Sequence, residues 1–195
     1  MNGAAEEMFE TLDEAGRVIG VAPRFEVHRH GMWHRAVNVI AFTDDDNVVI
    51  QKRSDSKDVC PGIWDLTVAE HLQPGETFSE AAQRGLAEEL SLHRIELVRI
   101  GSQLRHQLEL REKRIRDYEV QALFVGKLTD EPVVPGPEVA SVRQATLEEI
   151  REISDTSPAD LTPWFRAWLA EISDSALLAA RRSLSSPPQT ITGAT

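Results

Sequence analysis

The segment from Glu70 to Leu92 constrains the fold more than any other part of this chain. Pro74-Gly75 interrupts a strand-like stretch, and Thr77 with Glu80 three residues later forms the capping-box pattern that starts a helix. The apolar residues of this helix recur at every fourth position and form one stripe: Phe78, Ala82, Leu86 and Leu90. The segment therefore predicts a strand, a loop and an amphipathic helix that buries its apolar stripe.

The same helix carries charged residues on a second face. Glu80, Arg84 and Glu88 follow one another at intervals of four, so the arginine can bridge two carboxylates. Glu88 and Glu89 are adjacent and can both reach a cation at the edge of the helix. Hard cations such as Mg²⁺ bind carboxylate oxygens and bridge to substrate phosphates. The pattern predicts a cation site for a diphosphate compound; the alternative is a solvated acidic face without a ligand.

The charge balance narrows the class of partner. The 195 residues carry a formal net charge of −11, with 41% hydrophobic and 27% charged residues, as in an ordinary globular protein. An acidic chain is a poor general binder of nucleic acid or of anionic membranes, and we expect neither partner. A diphosphate stays compatible because a divalent cation can lie between two negative groups. Cys60 is the only cysteine and the first residues do not resemble a signal peptide, so we expect a cytoplasmic protein.

Strands predominate outside this helix. A hairpin is predicted over Phe9–Val18 and an irregular segment over Val21–Trp33. Six further strands are predicted at Arg35–Thr43, Val48–Lys52, Ile63–His71, Ile95–Leu104, Asp117–Leu128 and Glu138–Gln144. The short turns between the early strands require a sheet that is not wholly parallel.

Two more helices complete the predicted domain. One begins at Thr146, which forms a second capping box, and a long amphipathic helix begins at Thr162-Pro163. We predict a single α/β domain over residues 1–184, with an N-terminal hairpin and a C-terminal helix. The tail at 185–195 is rich in Ser and Pro and is predicted to be disordered.

The segment from Glu70 to Leu92 resembles the Nudix box, G-x5-E-x7-R-E-U-x-E-E-x-G-U, in which U is a bulky aliphatic residue. The positions that match are Glu76, Arg84, Leu86, Glu88, Glu89 and Leu92. Three positions depart from the pattern: Glu70, Gly85 and Ser91. The resemblance implies a Nudix fold, which is a mixed β-sheet sandwiched between α-helices. It also implies a Mg²⁺- or Mn²⁺-dependent hydrolase that cleaves a diphosphate linkage in a nucleoside diphosphate derivative or a similar small metabolite.

The resemblance assigns roles to four residues of the box. Glu88 and Glu89 are expected to bind the metal and take part in catalysis, while Arg84 and Glu76 form an ion pair that orients the helix. Gly85 removes a glutamate that in this family pairs with the residue four positions later. A glycine inside a helix costs about 1 kcal/mol against alanine, so the sequence offers no structural reason for it. Either another carboxylate replaces the ligand, or the protein is a catalytically silent module that binds or regulates.

Residues outside the box resemble the Nudix branch related to isopentenyl-diphosphate isomerases. They are Glu26-Val27-His28, Trp33-His34-Arg35-Ala36-Val37, Gln51-Lys52-Arg53-Ser54, Lys57 and Pro61-Gly62-Ile63-Trp64-Asp65, and His71 at the start of the box segment shares this resemblance. Those isomerases bind a metal through three histidines and two glutamates, for which the resemblance implies His28, His34, His71, Asp117 and Glu119. Surface or capping histidines remain the alternative. The isomerases carry a cysteine where this chain has Ala69, so an isomerase would lack half of its acid–base pair.

Three further residues are candidates for binding the substrate. Arg53 and Lys57 follow the second predicted strand and can bind phosphate, although solvated charge is the alternative. Trp64 can stack on a ring of the substrate, or it can belong to the core. The expected partner is a small-molecule diphosphate, and a homodimer is left open.

Overall fold

The structure is a computed structural model that describes residues 6–184, and these residues form one nine-stranded sheet with five α-helices. The strands are β1 Met8–Leu12, β2 Val18–Pro23, β3 Trp33–Phe42, β4 Val48–Arg53, β5 Trp64–Asp65, β6 Val68–His71, β7 Leu97–Leu110, β8 Ile115–Lys127 and β9 Val139–Ala145. The helices are α1 Arg24–His30, α2 Phe78–Leu90, α3 Leu147–Thr156, α4 Pro163–Glu171 and α5 Asp174–Ser183.

Strand β3 is the centre of the sheet because both of its edges are paired. Along one edge it runs parallel to β8 over its whole length, from Trp33 opposite Tyr118 to Phe42 opposite Lys127. Its other edge pairs antiparallel with β1, β6 and β4 in turn. The sheet is therefore mixed, as the short turns predicted.

Alternate residues of the central strands face two separate apolar cores. Val37 and Val39 of β3 pack with α2, whereas Ile40 and Phe42 pack with α3, α4 and α5. This alternation follows from the period of two along a strand. Helices thus cover both faces of the sheet, which confirms the predicted α/β sandwich.

Helix α2 begins and ends as its sequence predicts. The Thr77 side chain accepts a hydrogen bond from the backbone N–H of Glu80, and the Glu80 carboxylate accepts one from the N–H of Thr77. Leu86 and Leu90 are fully buried against the sheet. Burying a leucine side chain contributes roughly 1.5–3 kcal/mol, so this stripe fixes the helix firmly to its face of the sheet.

Gly85 lies where α2 comes closest to β6. A Cβ atom at this position would lie 2.6 Å from Cγ1 of Val68 and 3.1 Å from Cβ of Glu70. Any side chain at position 85 would therefore collide with β6. The expectation that this glycine has no structural reason is wrong, because it permits the close approach of helix and strand.

The segment predicted to be irregular, Val21–Trp33, is instead ordered. It contains the end of β2 and helix α1, which begins after Pro23 and ends at Gly31 in the left-handed conformation, with φ of 64°. Only Val27 and His28 of this seven-residue helix are buried. With two buried residues, the helix shows no apolar periodicity in the sequence. It packs against β1, β2 and β8, and these tertiary contacts stabilise it.

The strand predicted over Ile63–His71 is divided in two. Residues of β5 pair with β4, whereas those of β6 pair with β3. At the crossing, the Thr67 hydroxyl donates to the carbonyl of Val49 and accepts from the N–H of Ala41. These bonds bridge β4 and β3, so the chain changes partner without leaving buried polar groups unpaired.

Two other boundaries differ from the predictions. The long helix predicted from Thr162-Pro163 ends at Glu171, because Ser173 accepts a hydrogen bond from the N–H of Ala176 and caps a separate helix, α5. The strands predicted at Ile95–Leu104 and Asp117–Leu128 extend towards each other, since β7 continues to Leu110 and β8 begins at Ile115, and residues 111–114 connect them.

The predicted disordered tail at 185–195 lies outside the described residues, as do residues 1–5. Within residues 6–184, none of the helices has both the length and the apolar character needed to cross a membrane.

A Gly85→Ala substitution tests the contact between α2 and β6. Helix propensity alone would stabilise the protein by about 1 kcal/mol, but overpacking against Val68 costs about 1–3 kcal/mol. We therefore expect a net loss of about 1 kcal/mol in the free energy of unfolding, measured by chemical denaturation. Ser79→Ala, at an exposed position of the same helix, is the control and is expected to gain a few tenths of a kcal/mol. A net gain from Gly85→Ala would contradict the contact.

Candidate metal and diphosphate site

Three histidines and one aspartate converge from four elements. His28 comes from α1, His34 from β3, His71 from β6 and Asp117 from β8, and one potential ligand atom of each lies within 4.8 Å of all the others. The Nε2 atoms of His28 and His34 lie 3.5 and 3.3 Å from Oδ1 of Asp117. His71 Nε2 lies 3.1 Å from Oε1 of Glu119. These five residues are those for which the isomerase resemblance implied a metal-binding role, and the fold brings them together.

The cluster has the features of a metal site. Among the described residues, the Nε2 atoms of the three histidines and Oδ1 of Asp117 are buried and make no hydrogen bond. His34 Nδ1 lies 3.0 Å from the carbonyl of Met32 and donates to it, so Nε2 is the nitrogen that would bind a cation in the neutral ring. Unsatisfied buried groups are costly, so their convergence calls for a partner. A divalent cation fits this set of donors.

Phe9 of β1 packs against the imidazole rings of the cluster. Its ring centroid lies 5.0 Å from that of His34, in a stacked arrangement, and 4.5 Å from that of His71. This apolar contact holds the imidazoles and keeps water from their faces. Burial lowers the pKa of His28 and lowers the pKa of His71 further, and the charge of Arg24 adds to both shifts. Both rings are therefore neutral near pH 7, which is the form that binds a metal.

Helix α2 contributes carboxylates on the opposite side of the site. Glu89 is 6% exposed and accepts a hydrogen bond from Nε2 of Gln51. Burial raises the pKa of Glu89 to about 8, and the charge of Glu70 adds to the rise. Burial likewise raises the pKa of Glu70 to about 7, against the lowering effect of Arg84. A cation between the two carboxylates would favour their charged forms.

Arg84 joins the carboxylates around the helix. Its guanidinium donates to Glu76 at 2.9 Å and to Glu88 at 3.2 Å, and it lies 3.4 Å from Glu70. It also donates to the carbonyl of His71 at 2.7 Å. The predicted pair of Arg84 and Glu76 is present, and the arginine also ties α2 to the end of β6.

A cavity of about 350 Å³ is lined by His71 and Asp117 of the cluster and by Glu88 and Glu89 of α2. Seven carboxylates face it: Glu7, Glu70, Glu88, Glu89, Asp117, Glu119 and Glu138. The cationic side chains that face it are Arg24, Arg53, Lys57 and Arg84. Because carboxylates outnumber cationic side chains in this lining, divalent cations shared with the carboxylates would help an anionic ligand to bind.

The predicted substrate-binding residues have different surroundings. Arg53 faces the cavity, but its guanidinium is held by Asp65 at 3.0 Å and by the carbonyl of Val59. Lys57 faces the cavity and forms an ion pair with Glu138. Trp64 is not among the residues found to line the cavity; its ring lies under the guanidinium of Arg143, 4.9 Å from the centroid. Of the three, Arg53 and Lys57 face the cavity, and each is paired with a carboxylate.

The sequence did not single out three residues that also face the cavity: Glu7, Arg24 and Trp164. Arg24 pairs with Glu7 and with Asp58, both at 2.9 Å, and belongs to the segment that was predicted to be irregular. Trp164 lies in the predicted amphipathic helix, and its Nε1 donates to Asp65 at 2.8 Å. The Thr-Pro helix start before Trp164 was visible in the sequence, but its position over the cavity was not.

Ala69 also faces the cavity, at the position where the isomerase resemblance expects a cysteine. Cys60 does not replace that thiol: it is absent from the lining found for this cavity among residues 6–184, and burial raises its pKa to about 11.

Comparison with known proteins agrees with this geometry. The NUDIX domain family model matches residues 32–165. An isopentenyl-diphosphate Delta-isomerase of Nocardia farcinica is 34% identical over 168 residues, covering 86% of this chain and 94% of that protein. Nudix hydrolase 3 of Arabidopsis thaliana is 47% identical over 90 residues, which cover 45% of this chain and 12% of that protein.

Solved structures show the same fold. The DR0079 protein of Deinococcus radiodurans superposes with a TM-score of 0.60 at 20% identity, covering 77% of this chain and 90% of that one. A MutT protein of Methanosarcina mazei gives a TM-score of 0.54 at 20% identity, covering 70% and 89%. The family model spans more than half of the chain, and the protein therefore belongs to the Nudix superfamily, in the branch related to isopentenyl-diphosphate isomerases.

Proposed function

We propose that the protein is a divalent-metal-dependent hydrolase that cleaves the diphosphate linkage of a nucleoside diphosphate derivative or a similar small metabolite. The observation that carries the proposal is the cavity in which His71 and Asp117, two members of the buried histidine–aspartate cluster, face the carboxylates of α2. Its volume of about 350 Å³ suits a small molecule. Its excess of carboxylates suits a ligand that arrives with metal ions.

The donor atoms indicate which ion each part of the cavity prefers. The imidazoles of His28, His34 and His71 favour Mn²⁺ over Mg²⁺, whereas the carboxylates of Glu88 and Glu89 accept either ion. A bound divalent cation neutralises charge on the phosphate oxygens during hydrolysis.

The chain supplies positioning and proton handling. Arg24 and Lys57 face the cavity beside the carboxylates and are placed to contact phosphate oxygens. Asp117 and Glu119 on β8, or the carboxylates of α2, orient the attacking water. Arg84 holds α2 and the end of β6 together, so the two groups of ligands keep a fixed separation.

Isomerisation of an allylic diphosphate is the second candidate, because relatives that match most of this chain are named isopentenyl-diphosphate isomerases. Ala69 weighs against it, since the cavity offers no thiol at that position. A silent module that binds a diphosphate without cleaving it is the third candidate, and Gly85 favours it. Incubation with isopentenyl diphosphate and with a panel of nucleoside diphosphate derivatives, each with Mg²⁺ or Mn²⁺, separates the three outcomes. Ligand-induced thermal stabilisation without any product would select the silent module.

A Glu89→Gln substitution tests the role of α2. We expect metal-dependent release of phosphate or nucleotide to fall about 10²-fold, equivalent to ~2.7 kcal/mol of activation free energy, because the amide is a weaker ligand than the carboxylate. Glu152→Gln, at an exposed position of α3, is the matched control and should leave the rate unchanged. Undiminished turnover in Glu89→Gln would refute the assignment.

Substitution of His34 or His71 by alanine tests the histidine cluster. We expect the Mn²⁺ content of the purified protein and its affinity for Mn²⁺ to fall at least about tenfold, as measured by elemental analysis and calorimetry. His93→Ala removes an exposed histidine and serves as the control. Thermal melts confirm that each variant is folded. Metal content equal to that of the natural chain in both cluster variants would exclude the cluster as a metal site.

A further inference from the structure

The side chain of Glu70 lies where a side chain at position 85 would begin. Position 85 precedes Glu89 by four residues and therefore lies on the same face of α2. Gly85 places no side chain there, and a Cβ atom added to it would lie 3.1 Å from Cβ and 3.3 Å from Cγ of Glu70. The Glu70 side chain thus fills the volume that a residue at position 85 would otherwise enter.

Glu70 directs its carboxylate into the same cavity as Glu88 and Glu89. Its side chain is 14% exposed, and Oε1 accepts a hydrogen bond from the N–H of His71 at 2.9 Å. Oε2 lies 3.4 Å from the Arg84 guanidinium, which is a long contact. These contacts fix the direction of the carboxylate but leave room for another ligand.

A neighbouring group shows that this cavity is short of positive charge. Asp117 also faces it, is 4% exposed, and its Oδ1 has no hydrogen-bond partner among the described residues. Glu7, Glu70 and His71 each offer a potential ligand atom within 4.8 Å of one another. Buried carboxylates that lie this close together need positive charge nearby to offset the cost of burying them.

We propose that Glu70 supplies, from strand β6, the carboxylate that α2 lacks at position 85, and that Glu70 and Glu89 bind a divalent cation together. The inference rests on the proposed metal-dependent function and names a ligand for it. Positions 70 and 85 are then coupled, because the absence of a side chain at Gly85 leaves space for the side chain of Glu70 on the neighbouring strand. The departure at Gly85 is thereby compensated within the same site.

The competing role for Glu70 is purely structural. In that case it supports Arg84, and its loss lowers stability without changing the affinity for metal. Glu70→Gln discriminates between the two roles, because its amide oxygen can still accept from the N–H of His71 while the negative charge and the second oxygen, which faces Arg84, are lost. A structural role then shows as a lower Tm with unchanged affinity for Mn²⁺, and a ligand role shows as a lower affinity.

The experiment titrates the full chain with Mn²⁺ alone, followed by calorimetry, with thermal unfolding measured on every variant. We expect Glu70→Gln to bind Mn²⁺ about tenfold or more weakly. Glu80→Gln removes one charge from the exposed start of the same helix and should leave affinity within about twofold of the natural chain. Equal affinity in Glu70→Gln and the natural chain would overturn the inference.

Two further variants test the coupling of Glu70 and Gly85. Glu70→Gly and Gly85→Glu should each weaken Mn²⁺ binding, and Gly85→Glu should also lower Tm because it collides with β6. The double variant Glu70→Gly/Gly85→Glu moves the carboxylate to the helix and removes the contact with Glu70 but not the one with Val68, so it should recover the affinity while Tm stays lowered. If the positions act independently, the losses multiply to within about twofold, and that result contradicts the exchange. A natural chain that takes up no Mn²⁺ defeats the proposed function itself, whereas an unaffected Glu70→Gln defeats only this inference.

Discussion

The constraint on which the site depends is a group of buried nitrogen and oxygen atoms that make no hydrogen bond among the described residues. Three imidazole nitrogens and an aspartate oxygen meet within 4.8 Å, and none of these four makes a hydrogen bond within the described part of the chain. Glu89 is buried nearby, and its raised pKa reflects the loss of solvent. A protein core does not tolerate such groups without compensation. The proposed cation would resolve this imbalance and would also allow so acidic a cavity to receive an anionic diphosphate.

The register of strand β3 makes this convergence possible. His34 lies opposite Glu119 on β8, and Ala36 lies opposite His71 on β6. Because side chains alternate between the faces of a sheet, a slip of one residue would turn His34 into the other core. The apolar residues of β3 pack into cores on both sides and so fix this register. The geometry of the site is therefore a consequence of the packing of the sheet.

The sequence predicted what local signals encode. The capping boxes of α2 and α3 and the apolar stripe of α2 are short-range patterns, and the structure contains them. The long parallel pairing of β3 and β8 joins residues far apart in the sequence, and no local pattern predicts it. The hypothesis that residues of both strands bind one metal therefore came from the family resemblance. Helix α1 was missed because its order comes from tertiary contacts, and with it the position of Arg24 was missed. The closeness of Gly85 to β6 depends on the distance between helix and sheet, which no spacing of residues in the sequence reveals.

The most direct test of this account is the position of the metal. Crystals grown with Mn²⁺ and a non-hydrolysable diphosphate, measured at the manganese absorption edge, locate bound ions without reference to activity. The account predicts an anomalous peak coordinated by His28, His34, His71 and Asp117, with the diphosphate oriented towards α2. A fully formed diphosphate complex with no manganese at this cluster would contradict it.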